Sequence, residues 1–308
     1  MIDPNNGILP EEGNRHMIRY ALPDFTARLS FNLMFARMMH TAPELFFDDI
    51  KAECVYGCFP DCIMNGGRVI PGERASYDQI SETFDAIEKE GLGIRITFTN
   101  MLIRPEHFDD EYANTILKAA RGRNAKVIVN SDELGEYISN RYHLGLILST
   151  TRELSGAEEL NMMLDRYEMA VLNYNHNKDD AFLKQVSHPD RLEVMVNEPC
   201  KPGCTTRQQH YLEDSRSQME HRRESFNCPG GCEKAGYTMR TATSPTILGN
   251  DDIRRLNKTY GIEHYKIVGR RLSVSRSSEA YLYYFVRPEY RSTMAKIIQR
   301  HSEINNVP

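Results

Sequence analysis

Short runs rich in β-branched and aromatic residues alternate with amphipathic helical patterns along most of this 308-residue chain. Eight runs are predicted as strands: Arg28 to Met34, Ile50 to Tyr56, Gly93 to Thr99, Lys126 to Asn130, Gly145 to Ser149, Met169 to Asn173, Leu192 to Val196 and His264 to Val268. Helix-sized patterns fill most of the intervals: Tyr77 to Glu90, Asp109 to Arg121, Asp132 to Tyr142, Ala157 to Arg166 and Asp179 to Val186. Eight βα units without a low-complexity linker favour one α/β domain, a (βα)8 TIM-like barrel spanning residues 1–308, over two domains.

Two of the helix patterns begin with residues typical of N-terminal caps. The segments Ser131-Asp132-Glu133 and Ser155-Gly156-Ala157-Glu158 each place a serine hydroxyl close to a following carboxylate. Such a hydroxyl accepts a hydrogen bond from a free amide of the first helical turn. Both serines are therefore predicted to cap the helices that follow them.

Bulk composition sets modest limits on partners and location. The formal charge of -5 and the pI near 6.1 give no overall drive toward nucleic acid or an anionic membrane. The N-terminal residues lack the basic and apolar segments of a secretion signal, and no apolar run of about 18 residues occurs. We therefore expect a soluble, cytoplasmic protein without a membrane partner.

Four cysteines stand in two pairs of identical spacing, Cys200-x3-Cys204 and Cys228-x3-Cys232, in a long polar segment after the seventh predicted strand. Two such pairs brought together by a loop form a four-thiolate cage that suits an iron-sulfur cluster or zinc. The segment also has too few apolar residues for a core of its own, and metal ligation can supply the missing folding free energy. Residues 197–250 are therefore predicted as a cysteine-rich, metal-binding insertion between strands seven and eight.

The residues around these pairs bear on the identity of the metal. Proline and glycine surround both pairs and allow backbone N–H groups to turn toward sulfur, which stabilises the charge of a cluster. Zinc ribbons more often use two-residue spacers than the three-residue spacers found here. The pattern therefore favours a 4Fe-4S cluster, with zinc as the alternative.

Three further cysteines, Cys54, Cys58 and Cys62, lie at the end of the second predicted strand. Their x3-x3 spacing and their position after the second strand do not match a radical S-adenosylmethionine motif. They are compatible with a second cluster, with thiols lining a substrate pocket, or with ordinary small apolar residues in a tight loop.

Polar side chains close several predicted strands at the end where a barrel carries its active site. Asn130, Asn173 and Asn197 end three of these strands, and Glu198 follows the last one. Asparagine offers a donor and an acceptor without charge, so these residues are candidates for binding a polar substrate. The alternative is that each asparagine only ends a strand and starts a turn.

The segment Asn65-Gly66-Gly67-Arg68 is a second candidate for substrate binding. The two glycines let backbone amides approach an anionic group, and the arginine can pair with it. A surface turn is the alternative.

Two other patterns predict structure rather than chemistry. Basic and acidic side chains interleave from Arg207 to Arg223, which is typical of a solvated helix. An aromatic stripe near the C-terminus is expected to pack the last helix on the barrel: Tyr281, Tyr283, Tyr284, Phe285 and Tyr290.

The cysteine segment and the last strand resemble the collagenase-like peptidase family. Asn227-Cys228-Pro229-Gly230-Gly231-Cys232 is similar to a cysteine element of that family, and Lys266-Ile267-Val268-Gly269-Arg270 is similar to its Lys-Ile-Glu-Gly-Arg motif. Val268 replaces the motif's glutamate, and Glu233 replaces the arginine usual after the last cysteine. The resemblance implies a TIM-like barrel, a substrate-facing Arg270, and a relation to iron-sulfur proteins that support oxygen-independent hydroxylation.

The patterns predict an iron-sulfur-binding barrel, and the resemblance implies that it modifies an aromatic ring or an RNA base, with a small-molecule or RNA substrate and an electron-donor protein as partners. A zinc-stapled, peptidase-like hydrolase and a non-catalytic cluster-bearing subunit are the alternatives. No Ser-His-Asp spacing, His-Glu-x-x-His motif or nucleophile elbow supports a hydrolase. The sequence assigns neither a catalytic residue nor an oligomeric state.

Overall fold

The computed structural model of the protein describes residues 17–229, 246–269 and 274–304. Eight parallel strands form a closed barrel in chain order, and the last strand pairs with the first. The strands are β1 Ile18–Pro23, β2 Ile50–Gly57, β3 Gly93–Phe98, β4 Ala125–Val129, β5 Gly145–Leu148, β6 Met169–Val171, β7 Leu192–Met195 and β8 His264–Lys266. The predicted (βα)8 barrel is confirmed.

Helices alternate with these strands and continue past the last one. They are α1 Leu29–Thr41, α2 Tyr77–Lys89, α3 Glu111–Ala120, α4 Asp132–Tyr142, α5 Ala157–Leu164, α6 Asp180–Leu183, α7 Arg207–Met219, α8 Asn250–Tyr260, α9 Val274–Tyr284 and α10 Arg291–Ile304. Short 3-10 helices occur at Pro43–Leu45, Pro105–His107, Thr150–Arg152, Tyr174–His176, Pro189–Arg191 and Pro288–Tyr290. In the described ranges, no helix is both long enough and apolar enough to cross a bilayer.

The prediction of the first strand is wrong. Arg28 is the N-cap of α1 and residues 29–34 are its first turns, while the first strand is Ile18–Pro23. The buried side chains of α1 include Phe31 and Phe35, which are four residues apart and therefore lie on one helical face. The other seven predicted strands match observed strands within two residues at each end.

One of the two predicted helix caps is confirmed. The Ser131 hydroxyl accepts a hydrogen bond from the Leu134 amide at 3.3 Å, as a cap of α4 does. The prediction for Ser155 is wrong, because Gly156 is the N-cap of α5 and no side-chain cap bond forms there. The backbone of Gly156 already has the extended conformation that an N-cap needs.

The apolar core has two parts. The larger part lies between the strands and the surrounding helices. The smaller part, here called the interior cluster, lies within the barrel and consists of Ile128, Ile147, Met169, Val171, Tyr174, Met195 and Val268. Side chains alternate between the two faces of a strand, so strands such as β4 and β7 contribute to both parts.

The aromatic stripe near the C-terminus packs on the barrel as predicted, but it lies on α9 and the segment after it rather than on the last helix, α10. Tyr281, Tyr284 and Phe285 are fully buried. The rings of Tyr284 and Phe285 lie 6.0 and 4.6 Å from the ring of Tyr20 on β1. Aromatic contacts of this kind bury large areas, and they join the C-terminal helices to the first strand.

Candidate functional site

A cavity lies at the carboxyl ends of the strands, where barrel enzymes carry their active sites. About 640 Å³ of space between atoms lies within it, and this space includes open solvent at the mouth. Its apolar floor belongs to the interior cluster and consists of Ile128, Val171, Met195 and Val268. Its other lining residues are Tyr56, Asn65, Gly66, Gly67, Arg68, Thr97, Thr99, Ser149, Thr150, Thr151 and Lys266.

The predicted binding segment Asn65-Gly66-Gly67-Arg68 forms one wall of this cavity. The buried Asn65 amide donates to the Arg68 carbonyl at 2.7 Å, and its oxygen accepts from the Thr97 hydroxyl at 3.2 Å. A Cβ atom on Gly66 would lie 2.4 Å from the Thr99 carbonyl oxygen, so this position accepts only glycine. Asn65 and Gly66 therefore shape the wall, and the segment is more than a surface turn.

Arg68 brings positive charge to the rim of the cavity. Its guanidinium lies 3.2 Å from the Asp24 carboxylate, and that of Arg28 lies 3.9 Å from the same carboxylate. Burial opposes ionisation of Asp24, but the charge of Arg68 and the hydrogen bond from Thr26 outweigh it and hold its pKa below the usual range. Arg68 also lines the cavity, so its guanidinium can pair with an anionic ligand group.

The asparagines predicted at the strand ends are hydrogen-bonded within the protein. Asn130 donates to the Thr151 hydroxyl at 2.8 Å, and Asn173 donates to the Leu154 carbonyl at 3.3 Å. Asn197 makes two bonds to the backbone of Val268, at 3.1 and 2.7 Å. None of these three asparagines is among the described residues that line the cavity. Their part in substrate binding stays a prediction.

The first cysteine pair lies directly after β7. The thiols of Cys200 and Cys204 are within hydrogen-bonding reach of each other, and the Tyr174 hydroxyl also reaches Cys200. Burial raises the pKa of Cys200 to about 11. Burial also acts to raise the pKa of Cys204, but hydrogen bonds from Thr206 outweigh it and lower that pKa. Two of the four predicted ligands therefore lie together.

The second pair is only partly described. Cys228 is half-buried, while Cys232 and Arg270 lie outside the described residues. Across residues 17–229, 246–269 and 274–304, no three or more His, Cys, Asp and Glu side chains form a group that could hold a metal ion. Cys228 is thus not grouped with the first pair, and the fit of the chain to a four-thiolate centre is partial.

The other three cysteines are buried and do not line the mouth cavity as described. Cys58 and Cys62 are fully buried in the layer between barrel and helices, with their thiols in hydrogen-bonding contact. Burial raises the pKa of Cys58, which disfavours the reactive thiolate. Cys54 lies on β2 beside an opening at the opposite end of the barrel. Of the three interpretations given for these cysteines, that of ordinary small apolar residues in a tight loop fits Cys58 and Cys62 best.

A buried ion pair joins the cysteine segment to the barrel. The Arg207 guanidinium lies 3.1 Å from the Glu198 carboxylate and 4.2 Å from the centre of the Tyr174 ring. Glu198 also accepts a hydrogen bond from the Cys200 amide at 3.2 Å. Glu198, predicted as a substrate-binding residue, thus holds the backbone at the first cysteine and does not line the cavity as described.

The prediction of a solvated helix from Arg207 to Arg223 is wrong for one face of α7. The Ser215 carbonyl accepts from the Asn100 side chain and its hydroxyl accepts from the Met101 amide, both at 3.1 Å, while Gln218 accepts from the Ile70 amide at 2.9 Å. The buried positions of α7 are Arg207, Tyr211, Asp214, Ser215, Ser217 and Gln218. Polar groups that bond to the loops after β2 and β3 therefore fix this helix, and the hydrophobic pattern could not show that face.

An ionic network that the sequence analysis missed fills the barrel beneath the cavity floor. Glu193, which is fully buried, pairs with Arg95 and, at 2.9 Å, with Lys266. Arg95 also lies 2.7 Å from Glu53, whose carboxylate is 3.0 Å from the His264 ring. The sequence feature that could have indicated this network is the charged residue that several apolar strands carry at an inward-facing position.

Comparisons with known proteins give a fold-level likeness. No protein-family model matches the chain, and no curated protein matches its sequence. Among solved structures, that of the U32 peptidase Mk0906 is similar to it, with a TM-score of 0.49 and 12% identity over 83% of this chain and 94% of that chain. At this distance the likeness carries no argument about chemistry, so the function of the chain has to be inferred from its own residues.

Proposed function

We propose that the protein is a metal-thiolate enzyme of the oxygen-independent hydroxylation type, acting on a small aromatic molecule bound in the barrel mouth. In this proposal Cys200, Cys204, Cys228 and Cys232 hold a 4Fe-4S cluster. The observation that carries the proposal is the position of Cys200. It packs against the interior cluster, four of whose members form the floor of the cavity.

The surroundings of the first cysteine pair suit a thiolate centre. Burial raises the pKa of Cys200 overall, but the positive charge of Arg207 and hydrogen bonding with the Tyr174 hydroxyl act in the opposite direction. Hydrogen bonds and positive charge around sulfur stabilise a cluster. A bound cluster would supply one-electron transfer. With water as the oxygen source, conversion of a ring C–H to C–OH releases two electrons and two protons, so the protein partner in this proposal accepts electrons from the cluster rather than donating them.

The cavity itself suits a flat, partly apolar substrate with an anionic group. The aliphatic and thioether floor can contact a ring, while Arg68 at the rim offers its guanidinium to an anionic group. The hydroxyls of Thr97, Thr99 and Ser149 can orient polar substituents. A recess lined by side chains at the barrel mouth suits a free small molecule, and of an RNA it could accept a single flipped base.

Two observations bear on the alternatives. Among the described residues, no three His, Cys, Asp or Glu side chains form a metal-binding group, so the cluster and the zinc alternative both require Cys232, which lies outside those residues. In addition, the described lining residues include hydroxyls and Lys266 but no histidine, cysteine or carboxylate, so a hydrolase in this cavity would need a hydroxyl–lysine pair rather than a histidine-based one. A cluster-bearing subunit without activity would keep the metal and lack turnover.

Membership of the collagenase-like peptidase family and a cytoplasmic location remain proposals that rest on the sequence patterns.

Substitution of single cysteines tests the proposal. Anaerobically purified Cys200→Ser and Cys204→Ser proteins should lose the absorbance near about 400 nm that a thiolate-bound cluster shows. Cys58→Ser is the matched control, because Cys58 lies away from the cavity, and this variant should keep the absorbance. Equal absorbance in all three variants would contradict ligation by the first pair.

A further inference from the structure

Lys266 on β8 pairs in register with the floor residue Met195, lines the mouth cavity and is 8% exposed. Its ammonium lies 2.9 Å from a carboxylate oxygen of Glu193 and 3.8 Å from the centre of the Tyr56 ring. Tyr56 is itself held in place, because its hydroxyl donates to the Ile267 carbonyl at 2.7 Å. The cation is therefore fixed on two sides, by an ion pair and by an aromatic face.

The ammonium has more donors than the protein uses. It carries three N–H groups, and in the described part of the chain its hydrogen-bond acceptor is Glu193. The Tyr56 ring faces a second side of the ammonium through a cation–π contact. A buried cation with spare donor capacity at the wall of a cavity is an incomplete site that a ligand oxygen can complete.

The groups that face Lys266 come from three strands. Glu193 on β7 favours its charged form, whereas Arg95 on β3 opposes it, and Cys54 lies nearby on β2. Burial is the largest influence and lowers the pKa of Lys266 from its ordinary value. An anion next to the ammonium would offset the repulsion from Arg95 and the cost of burial, so a ligand oxygen that takes negative charge is preferred over a neutral one.

We propose that Lys266 forms a phenolate-binding subsite at the base of the mouth cavity, in which the ring of an aromatic substrate lies on the apolar floor and its oxygen accepts from the ammonium. This inference rests on the proposed function, since it uses the same cavity, but it needs no metal. It narrows the substrate class to phenols, because the subsite would stabilise the ionised oxygen and so increase the electron density of the ring.

The test uses 4-nitrophenol as a probe, since its absorbance distinguishes the phenol from the phenolate. Titration of the probe with the wild-type protein at several pH values should show that the bound form ionises about one pH unit lower than the free form, a tenfold preference for phenolate. Lys266→Arg should keep a lowered ionisation. Lys266→Met and the more conservative Lys266→Gln should each lose it, with folding checked by circular dichroism.

Each outcome decides the proposal. A wild-type protein that does not bind the probe, or that binds phenol and phenolate equally, overturns it. The same holds if Lys266→Gln ionises the probe like the wild-type protein. The same titration on Cys200→Ser protein separates the subsite from the metal proposal. If metal-free protein still lowers the ionisation of the probe, the subsite is supported even where the metal proposal fails. If metal-loaded protein does not lower it, the subsite is overturned while the metal proposal stands.

Discussion

Arg95 on β3 and Glu193 on β7 form an ion pair through the interior of the barrel, with side chains that are 5% and 0% exposed. Lys266 and Glu53 extend this pair into a network of alternating charges. Taking charges out of water is expensive, so each member depends on its neighbours for compensation. The network therefore makes the lower half of the barrel sensitive to the loss of any single charge.

Arg95→Met tests that dependence. The substitution leaves two carboxylates without their shared guanidinium, so we expect a loss of about 3–5 kcal/mol in the free energy of unfolding. Urea denaturation at neutral pH measures it. The control is Arg37→Met, because Arg37 pairs with Glu90 while its own side chain is 62% exposed, and this variant should unfold like the wild-type protein. Equal stability of Arg95→Met and the control would contradict the role of the network.

The pKa of Glu53 predicts how stability changes in acid. Burial acts to raise this pKa, but the hydrogen bond from His264 and the charge of Arg95 outweigh it and lower the pKa from 4.5 to about 2. Because the folded-state pKa is the lower one, the stabilisation is fully present above the unfolded-state value of 4.5 and is lost as the pH falls toward about 2.

Glu53→Gln should therefore lower the free energy of unfolding at neutral pH by up to about 3 kcal/mol and flatten its fall between about pH 4.5 and pH 2. Denaturation curves at a series of pH values measure both effects. Glu82→Gln, on an exposed position of α2, should follow the wild-type curve. A Glu53→Gln protein with an unchanged acid limb would show that the pair with His264 does not lower the pKa.

Gly66→Ala should disrupt the cavity wall. The new Cβ would lie 2.4 Å from the Thr99 carbonyl oxygen and 2.6 Å from the Asn100 backbone, so the loop has to move. We expect a loss of about 3 kcal/mol or more in stability, together with loss of ligand binding in the mouth.

Gly156→Ala is the control for the wall variant. A Cβ on Gly156 would have open space around it, because no atom of the described residues other than its sequence neighbours lies within 4 Å of that position. The cost of this substitution should therefore stay near or below about 1 kcal/mol. Normal ligand binding by Gly66→Ala would exclude this wall from the site.

Arg207→Met should loosen the cysteine segment from the barrel. The substitution leaves the buried Glu198 carboxylate without its guanidinium partner, so local opening around the start of α7 should become more than about tenfold easier. Limited proteolysis or hydrogen exchange measures this opening. Arg216→Met on the exposed face of the same helix, which removes a pair with Glu213, should leave it unchanged. Equal opening in both variants would show that Arg207 does not hold the segment.

Periodicity in the sequence predicted the barrel well because strand and helix patterns repeat with different periods. The failure at the first strand has a physical cause. Residues 28–34 contain several apolar side chains, but Phe31 and Phe35 repeat at helical spacing. The true strand, Ile18–Pro23, is buried at nearly every position and lacks the alternation that marks a half-exposed strand.

The site was predictable only in part. Asn65-Gly66-Gly67-Arg68 could be recognised from chain chemistry, because glycine and a cation in one turn indicate anion binding. The ion pair of Arg95 with Glu193 could not, since the two residues are 98 positions apart in sequence and meet only when the barrel closes. The same limit holds for α7, whose buried face is polar and is defined by partners on other loops.

The metal content of the wild-type protein tests the central claim most directly. The protein should be purified without oxygen and analysed for iron, acid-labile sulfide and zinc on one sample. A 4Fe-4S cluster held by Cys200, Cys204, Cys228 and Cys232 predicts about four irons and four sulfides per chain. About one zinc without iron would contradict the redox function and leave the cysteine segment as a structural staple.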